Sequence, residues 1–83
     1  MSKKTETCFV GVDISKNKLG VYRPDTKEFI QLDNSEEDTR DFCKKLKRKK
    51  QPTVVVMEAS GGYEKMLLHQ LEHFDIQAAT TRS

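Results

Sequence analysis

Residues 9–16 read FVGVDISK and residues 54–64 read VVVMEASGGYE. In each stretch a short apolar run ends in a single carboxylate, Asp13 or Glu58, and then gives way to small or polar residues. A run that is apolar on both faces is typical of a central strand in a covered sheet. A carboxylate at the tip of such a strand needs a partner, and a divalent cation is a common one.

The hydrophobic pattern of the chain predicts five strands and two helices. Short apolar or alternating runs bounded by turn residues indicate strands over residues 7–13, 18–22, 28–32, 53–58 and 77–81. Apolar residues at helical spacing indicate one helix that ends near residue 50 and another over residues 62–74.

Polar residues before each helix are candidate N-caps. Asn34 or Ser35 should cap the first helix, and Ser60 should cap the second. The buried side of the second helix should carry apolar residues at spacings of four, four and three, namely Tyr63, Leu67, Leu71 and Phe74.

The connections between the predicted elements specify a topology. The first three strands are joined by short links and should form an antiparallel meander, whereas the helical crossover to the fourth should be right-handed. With the two apolar strands at the centre, the sheet order is 3-2-1-4-5. The expected fold class is therefore α/β, ribonuclease-H-like, with a βββαβαβ order and a mixed five-stranded sheet. Asp13 and Glu58 would end neighbouring parallel strands, at the edge where open α/β sheets bind ligands.

The composition is that of one small domain in a reducing compartment. The 83 residues are 34% charged, and a net charge of +2 is too small by itself to indicate a nucleic-acid partner. Cys8 and Cys43 form neither a metal-binding pair nor a disulfide framework, which favours two buried thiols. The sequence shows no signal-peptide pattern and no apolar run long enough to cross a membrane. We expect a cytoplasmic protein with a disordered tail over residues 1–6.

The two carboxylates predict a metal site. Neighbouring strands lie about 4.8 Å apart, and two-metal phosphoryl-transfer sites hold their ions about 3.5–4 Å apart. Asp13 and Glu58 can therefore share one Mg²⁺ or Mn²⁺ ion, or flank two. On spacing alone, it is an equally good interpretation that both side chains merely cap loops and helix starts.

The strings over residues 10–16 and 56–64 closely resemble the N-terminal domain of bacterial insertion-sequence transposases of the one-hundred-and-ten family, which includes the Piv-type DNA invertases. The separation of the two motifs and the basic helix between them also match. The resemblance covers nearly the whole chain, which corresponds to only the first part of the family's protein. It implies a partial RuvC-like domain over residues 7–83 that acts in DNA transposition by metal-dependent phosphodiester cleavage and strand transfer.

The resemblance also assigns residues. The family binds magnesium through four acids in the order D-E-D-D, of which Asp13 matches the first and Glu58 the second. The last two acids, and the serine nucleophile of a second domain, would lie beyond Ser83. Residues 80–83 read TTRS and depart from the asparagine-proline-arginine-like segment that usually follows the fifth strand. We therefore expect the 83 residues alone to bind magnesium weakly and to be inactive.

Candidate DNA contacts lie beside both motifs and at the end of the first helix. Six of the seven residues over 44–50 are basic, and such a run can contact phosphates, although it also complements the dipole of a helix end. The predicted DNA contacts are Lys16, Lys18, Lys47, Arg48 and the glycine-glycine-aromatic turn formed by Gly61, Gly62 and Tyr63. By family resemblance a guide or structural RNA is a further partner, and the location is the bacterial nucleoid.

Two other functions fit the same pattern. An actin-like ATPase or sugar-kinase fragment would share the fold, but residues 13–18 lack the glycine-rich phosphate loop expected there. A non-catalytic binding or dimerisation module is the other alternative, because a sheet with an uncovered face and edge recruits partners. On this basis we expect a homodimer or higher oligomer, formed by strand exchange or edge pairing.

Overall fold

A computed structural model describes residues 7–24, 26–49, 51–58 and 61–81 of the chain. The elements, in chain order, are β1 (Cys8–Ile14), β2 (Lys18–Arg23), β3 (Glu28–Asp33), α1 (Glu36–Arg48), β4 (Thr53–Glu58), α2 (Lys65–His73) and β5 (Gln77–Thr81). The predicted tail over residues 1–6 lies outside the described residues.

The five strands form one mixed sheet in the order β3-β2-β1-β4-β5, which confirms the predicted fold class and strand order. β2 pairs antiparallel with both β1 and β3, as their short connections require. β4 pairs parallel with both β1 and β5, because a helix crosses over before and after it. The C-terminal ends of β1 and β4 consequently meet at one edge of the sheet.

Helix α1 begins where the sequence predicts. Ser35 is its N-cap residue, and the Ser35 side chain accepts a hydrogen bond from the backbone N–H of Asp38 at 3.2 Å. The first turn is acidic and the last turn basic, which suits the helix dipole at both ends. The side of the helix that packs on the sheet buries Thr39, Phe42, Cys43 and Leu46.

Helix α2 begins three residues later than predicted. Gly61 and Gly62 adopt φ angles of 63° and 84°, a left-handed conformation that cannot belong to a right-handed helix. Residues 61–64 therefore form a turn, and Glu64 occupies the N-cap position. Tyr63 was expected on the buried side of this helix, but its side chain is 44% exposed because it lies in the turn. The predicted cap, Ser60, lies outside the described residues.

The core lies on one side of the sheet. Leu67 and Leu71 of α2 are buried together with the α1 side chains and the inward residues of the strands, which include Val10, Leu19 and Val55. Both crossovers run in the same direction across the sheet, so crossovers of the same hand bring both helices to the same face, where they contact each other.

The opposite side of the sheet, called the open face here, is formed by residues that alternate with the core residues. The strand registers place on it Phe9, Gly11, Asp13, Lys18, Gly20, Tyr22, Phe29, Gln31, Asp33, Val54, Val56, Glu58, Gln77, Ala79 and Thr81. The sequence predicted that β1 would be covered on both sides. This prediction is wrong for the described residues, in which Phe9 is 55% exposed and Phe29 is 65% exposed.

Neither helix among the described residues has the length and apolar character that spanning a membrane requires.

Candidate functional site

Asp13 occupies the open face near the C-terminal end of β1. It lies opposite Gly20 of β2, and its neighbours Val12 and Ile14 point into the core. Strand alternation therefore directs the Asp13 carboxylate to solvent rather than into the packed helices, and the residue is exposed.

Glu58 occupies the equivalent position on β4. It is the last residue of that strand, lies beside Thr81 of β5 and is exposed, whereas the preceding Met57 is buried. The parallel register pairs Val12 with Met57. The next residue of each strand is a carboxylate, and both point to the open face. Since neighbouring strands lie about 4.8 Å apart, the two acids are side by side.

A shallow hollow of about 310 Å³ on the open face contains both acids, and we call it the acid hollow. It is lined by Gly11, Val12, Asp13, Gly20, Tyr22, Phe29, Val56, Met57, Glu58 and Thr81. The acids lie toward the C-terminal edge of the parallel strands, and the aromatic side chains of β2 and β3 form the wall beside them. A group held by the acids would therefore contact an apolar surface as well.

Gly20 leaves the space that the Phe29 ring fills. A Cβ atom added at Gly20 would lie 3.0 Å from the Cζ atom of Phe29 and 3.8 Å from the Cβ atom of Asp13. The ring of Phe29 thus leans over Gly20 toward the base of Asp13. This packing limits the approach to Asp13 from the β3 side and leaves the side toward Glu58 open.

The two acids fit a hard divalent cation in their chemistry but provide only two ligands. Carboxylate oxygens are the ligands that Mg²⁺ and Mn²⁺ prefer, and exposed carboxylates can adjust to the required geometry. Among the described residues, no group of three or more His, Cys, Asp or Glu side chains is close enough to hold a metal ion. Water or other groups would have to complete the coordination.

Asn34 joins the segments that follow the two acids. Its Nδ2 group donates hydrogen bonds to the carbonyl oxygen of Ser15 at 3.0 Å and to that of Tyr63 at 3.1 Å. Ser15 lies in the turn after Asp13, and Tyr63 lies in the turn after Glu58. The sequence predicted Asn34 only as a possible helix cap, because the contact spans 29 residues and leaves no local pattern.

Four of the predicted DNA contacts lie at the edge that carries the acids. Lys16 is exposed in the β1–β2 turn, and Gly61, Gly62 and Tyr63 form the turn after β4. Both glycines adopt the left-handed conformation that favours glycine, and because glycine has no β-carbon the backbone carries no side chain at these two positions. Lys16, the glycine turn and Tyr63 therefore lie at the same end of the strands as Asp13 and Glu58, although none of them lines the acid hollow.

The other predicted DNA contacts are placed less favourably. Lys18 is at the same edge, but its ammonium group pairs with Asp33 at 2.6 Å, and the hydrogen bond to Asp33 raises the pKa of Lys18. Lys47 and Arg48 end α1, which runs antiparallel to β4, so they lie at the opposite edge of the sheet. The basic helix end is thus remote from the acid hollow.

No protein-family model matches the chain, and no curated protein is significantly similar to it. The resemblance of the two motifs to a transposase domain therefore stays a prediction.

Proposed function

We propose that this chain is the N-terminal part of a bacterial insertion-sequence transposase or site-specific recombinase of the one-hundred-and-ten family. The observation that carries the proposal is the position of Asp13 and Glu58. They are exposed side by side on one face, at the C-terminal ends of two central parallel strands. This is the edge at which open α/β sheets bind their ligands, and the sheet order is the one that the resemblance implies.

In the proposed reaction the two carboxylates hold magnesium or manganese. The cation would supply Lewis-acid activation of a water or 3′-hydroxyl nucleophile and of the phosphodiester under attack. The chain's own residues orient the substrate: Lys16 attracts a phosphate, the turn at Gly61 and Gly62 admits a close approach to the backbone, and Tyr63 offers a ring to a sugar or base. DNA is the proposed substrate, and a guide or structural RNA is a proposed partner in the bacterial cell.

The proposal assigns half of the acidic site to this chain. Phosphoryl transfer depends on positioning and on the complete set of charges. With two ligands from the described residues, we expect weak cation binding, with dissociation constants on the order of millimolar, and no strand cleavage by the 83 residues alone. The remaining ligands are proposed to come from a longer protein.

Paramagnetic Mn²⁺ titration followed by NMR tests the assignment directly. Mn²⁺ should broaden the amide signals around residues 12–14 and 57–58 first, because the ion is held between these strand ends. Asp13→Asn and Glu58→Gln should each reduce this broadening at a given Mn²⁺ concentration, and the double substitution should abolish it.

The matched control is Asp41→Asn, which removes an exposed carboxylate from α1 on the other side of the sheet. The amide signals of this variant should broaden with Mn²⁺ as those of the unaltered protein do. Broadening centred elsewhere, or unchanged in the double variant, would refute the metal assignment. Strong metal-dependent DNA cleavage by the 83 residues that survives Asp13→Ala would also contradict the proposal.

A non-catalytic binding module is the second candidate function, and the exposed apolar residues of the open face favour it. Phe9, Tyr22 and Phe29 are 55%, 46% and 65% exposed on one continuous surface, and such surfaces mark interaction sites. If this is the function, Asp13→Asn and Glu58→Gln should leave partner binding unchanged, whereas Phe9→Ser should weaken it. Thermal stabilisation by ATP would instead favour the actin-like or sugar-kinase alternative.

A further inference from the structure

The two outermost strands of the sheet, its edge strands, differ in charge. β3 forms one edge and carries Glu28 and Asp33 at its ends. β5 forms the other edge and reads QAATT, with neither a charged residue nor a proline. Charges and prolines are the usual protection of an edge strand against pairing with another chain. Among the described strands β5 pairs only with β4, so its outer row of backbone groups is presented to solvent without that protection.

A groove of about 870 Å³ lies between α2 and the first residues of β5. Lys65 and His69 line it from the helix, together with Glu72, and Gln77 and Ala78 line it from the strand side. Lys65 lies in the first turn of the helix and Glu72 in the last, seven residues or about 10.5 Å apart. Asp75, in the turn after the helix, also lines the groove, so the groove has a positive end at Lys65 and a negative end at Glu72 and Asp75.

We propose that two copies of the chain pair through β5, antiparallel, and join their sheets into one continuous sheet. A twofold axis perpendicular to the sheet keeps the helices of both copies on the same side. In such a pair, directly opposed residues must lie on the same face of the sheet. A register centred on Ala79 meets this requirement, because it places Ala79 opposite the partner's Ala79 and Gln77 opposite the partner's Thr81. This register uses every residue of β5.

Charge complementarity between the helices selects a second copy as the occupant of the groove. α2 is joined to β5 by a short turn and runs antiparallel to it. The nine residues of α2 span about 13.5 Å and the five residues of β5 about 16.5 Å, so the proposed dimer places the middle of the helix, near His69, roughly level with the middle of the strand at Ala79. The twofold axis between the two Ala79 residues therefore places Lys65 opposite the partner's Glu72, and Glu72 opposite the partner's Lys65. A crossover helix packs over the gap between the two strands that it joins, here β4 and β5. With strands about 4.8 Å apart, each α2 axis would then lie about one strand spacing from the twofold axis, and the two helix axes would be about 10 Å apart, which is an ordinary packing distance.

The β3 edge would not pair with itself in this way. Glu28 and Asp33 stand at its two ends, and charged residues on an edge strand oppose pairing with another chain. The interface through β5 is small, so we expect a dimer that dissociates on dilution in the micromolar range, as interfaces below about 1,200 Å² commonly do.

Sedimentation equilibrium of the 83-residue chain tests the proposal. The unaltered chain should show a monomer–dimer equilibrium, and a strict monomer at high concentration would overturn the proposal. Ala79→Lys should raise the dimer dissociation constant about tenfold or more, because it places two like charges across the axis. Ala79→Glu should do the same. An equimolar mixture of the two variants should recover the dimer, since opposite charges then meet.

Control variants separate this edge from the other surfaces. Gln31→Lys on the β3 edge should leave the dissociation constant unchanged. Phe9→Lys on the open face should also leave it unchanged, and a dimer lost in this variant but kept in Ala79→Lys would overturn the proposal in favour of face-to-face association. Asp13→Asn and Glu58→Gln should have no effect, so the dimer and the proposed function can fail independently.

Charge reversal on α2 gives a test that does not alter the strand. Lys65→Glu or Glu72→Lys alone should weaken the dimer about fivefold, because each variant replaces two attractive pairs by two repulsive ones. The double variant Lys65→Glu/Glu72→Lys restores opposite charges and should return the dissociation constant to within about twofold of the original. Equal weakening by the double variant would overturn the proposed register.

Discussion

Replacement of Asn34 by alanine should release the turn after Asp13 from the turn after Glu58. Asn34 donates two hydrogen bonds of good length, to the carbonyl oxygens of Ser15 at 3.0 Å and Tyr63 at 3.1 Å. A third contact, to the carbonyl oxygen of Lys16 at 3.5 Å, is too long to count. The side chain thus holds together two segments that are distant in sequence.

The size of the effect follows from the number of bonds. A hydrogen bond of this kind contributes about 1 kcal/mol net, so Asn34→Ala should lower the free energy of unfolding by about 2 kcal/mol. For a domain of this length, 1 kcal/mol shifts Tm by about 4–8 °C, which gives a drop of about 8–16 °C. Asn34→Asp should lower the free energy of unfolding further, because a negatively charged carboxylate oxygen would then face two carbonyl oxygens.

Urea and thermal unfolding, followed by circular dichroism, measure this loss. Asn17→Ala is the matched control. Asn17 is an exposed asparagine whose backbone carbonyl accepts a hydrogen bond from the backbone N–H of Asn34 at 2.9 Å, and the substitution leaves this bond in place. The control should be nearly neutral. If Asn34→Ala were as stable as the unaltered chain, or if the control lost as much, the Asn34 side chain would not join the two turns.

Three further predictions concern single positions. Gly62→Ala should destabilise the fold by about 1 kcal/mol or more, because φ there is 84°, whereas Gly11→Ala, where an added Cβ meets nothing closer than 4.0 Å, should be nearly neutral in urea unfolding. Burial raises the pKa of Cys43 from 9.0 to about 11, so at pH 8 the folded protein should react with a thiol reagent at this site about 100-fold more slowly than the unfolded chain. The unfolded chain loses the Cys43 thiol proton at a lower pH than the folded protein does, so the free energy of unfolding should fall as pH rises from 9 toward 11. This fall should be less steep in Cys43→Ala. Leu67→Ala should cost about 2–5 kcal/mol, because the side chain is fully buried, whereas Met66→Ala, one position along and 38% exposed, should cost far less in the same denaturation assay.

The agreement between sequence and structure is closest where local patterns suffice. The apolar runs around Val10 and Val55 are continuous, so both strands could be recognised and placed at the centre of the sheet. Short connections and the right-handed crossover then left little choice of strand order. The N-cap at Ser35 was also predictable, because capping is a contact within four residues.

The disagreements have physical causes that act over longer distances or through conformation. Helical spacing of apolar residues extended the prediction for α2 back to Gly62, but the left-handed angles at Gly61 and Gly62 delay its start to Lys65. Continuous apolar runs predicted a sheet covered on both sides, yet both crossovers place their helices on the same side. Phe9 is therefore apolar and exposed.

The sequence alone determined that two carboxylates lie at or next to the C-terminal ends of two strands and that these strands are central and parallel. Residue type and spacing carry this information, because strand alternation and short connections are local rules. Only the tertiary structure decided that Asp13 and Glu58 share one hollow and that Asn34 joins the turns behind them. It also decided that Lys47 and Arg48 lie at the far edge. These relations depend on strand register and helix direction, which arise when distant segments pack together.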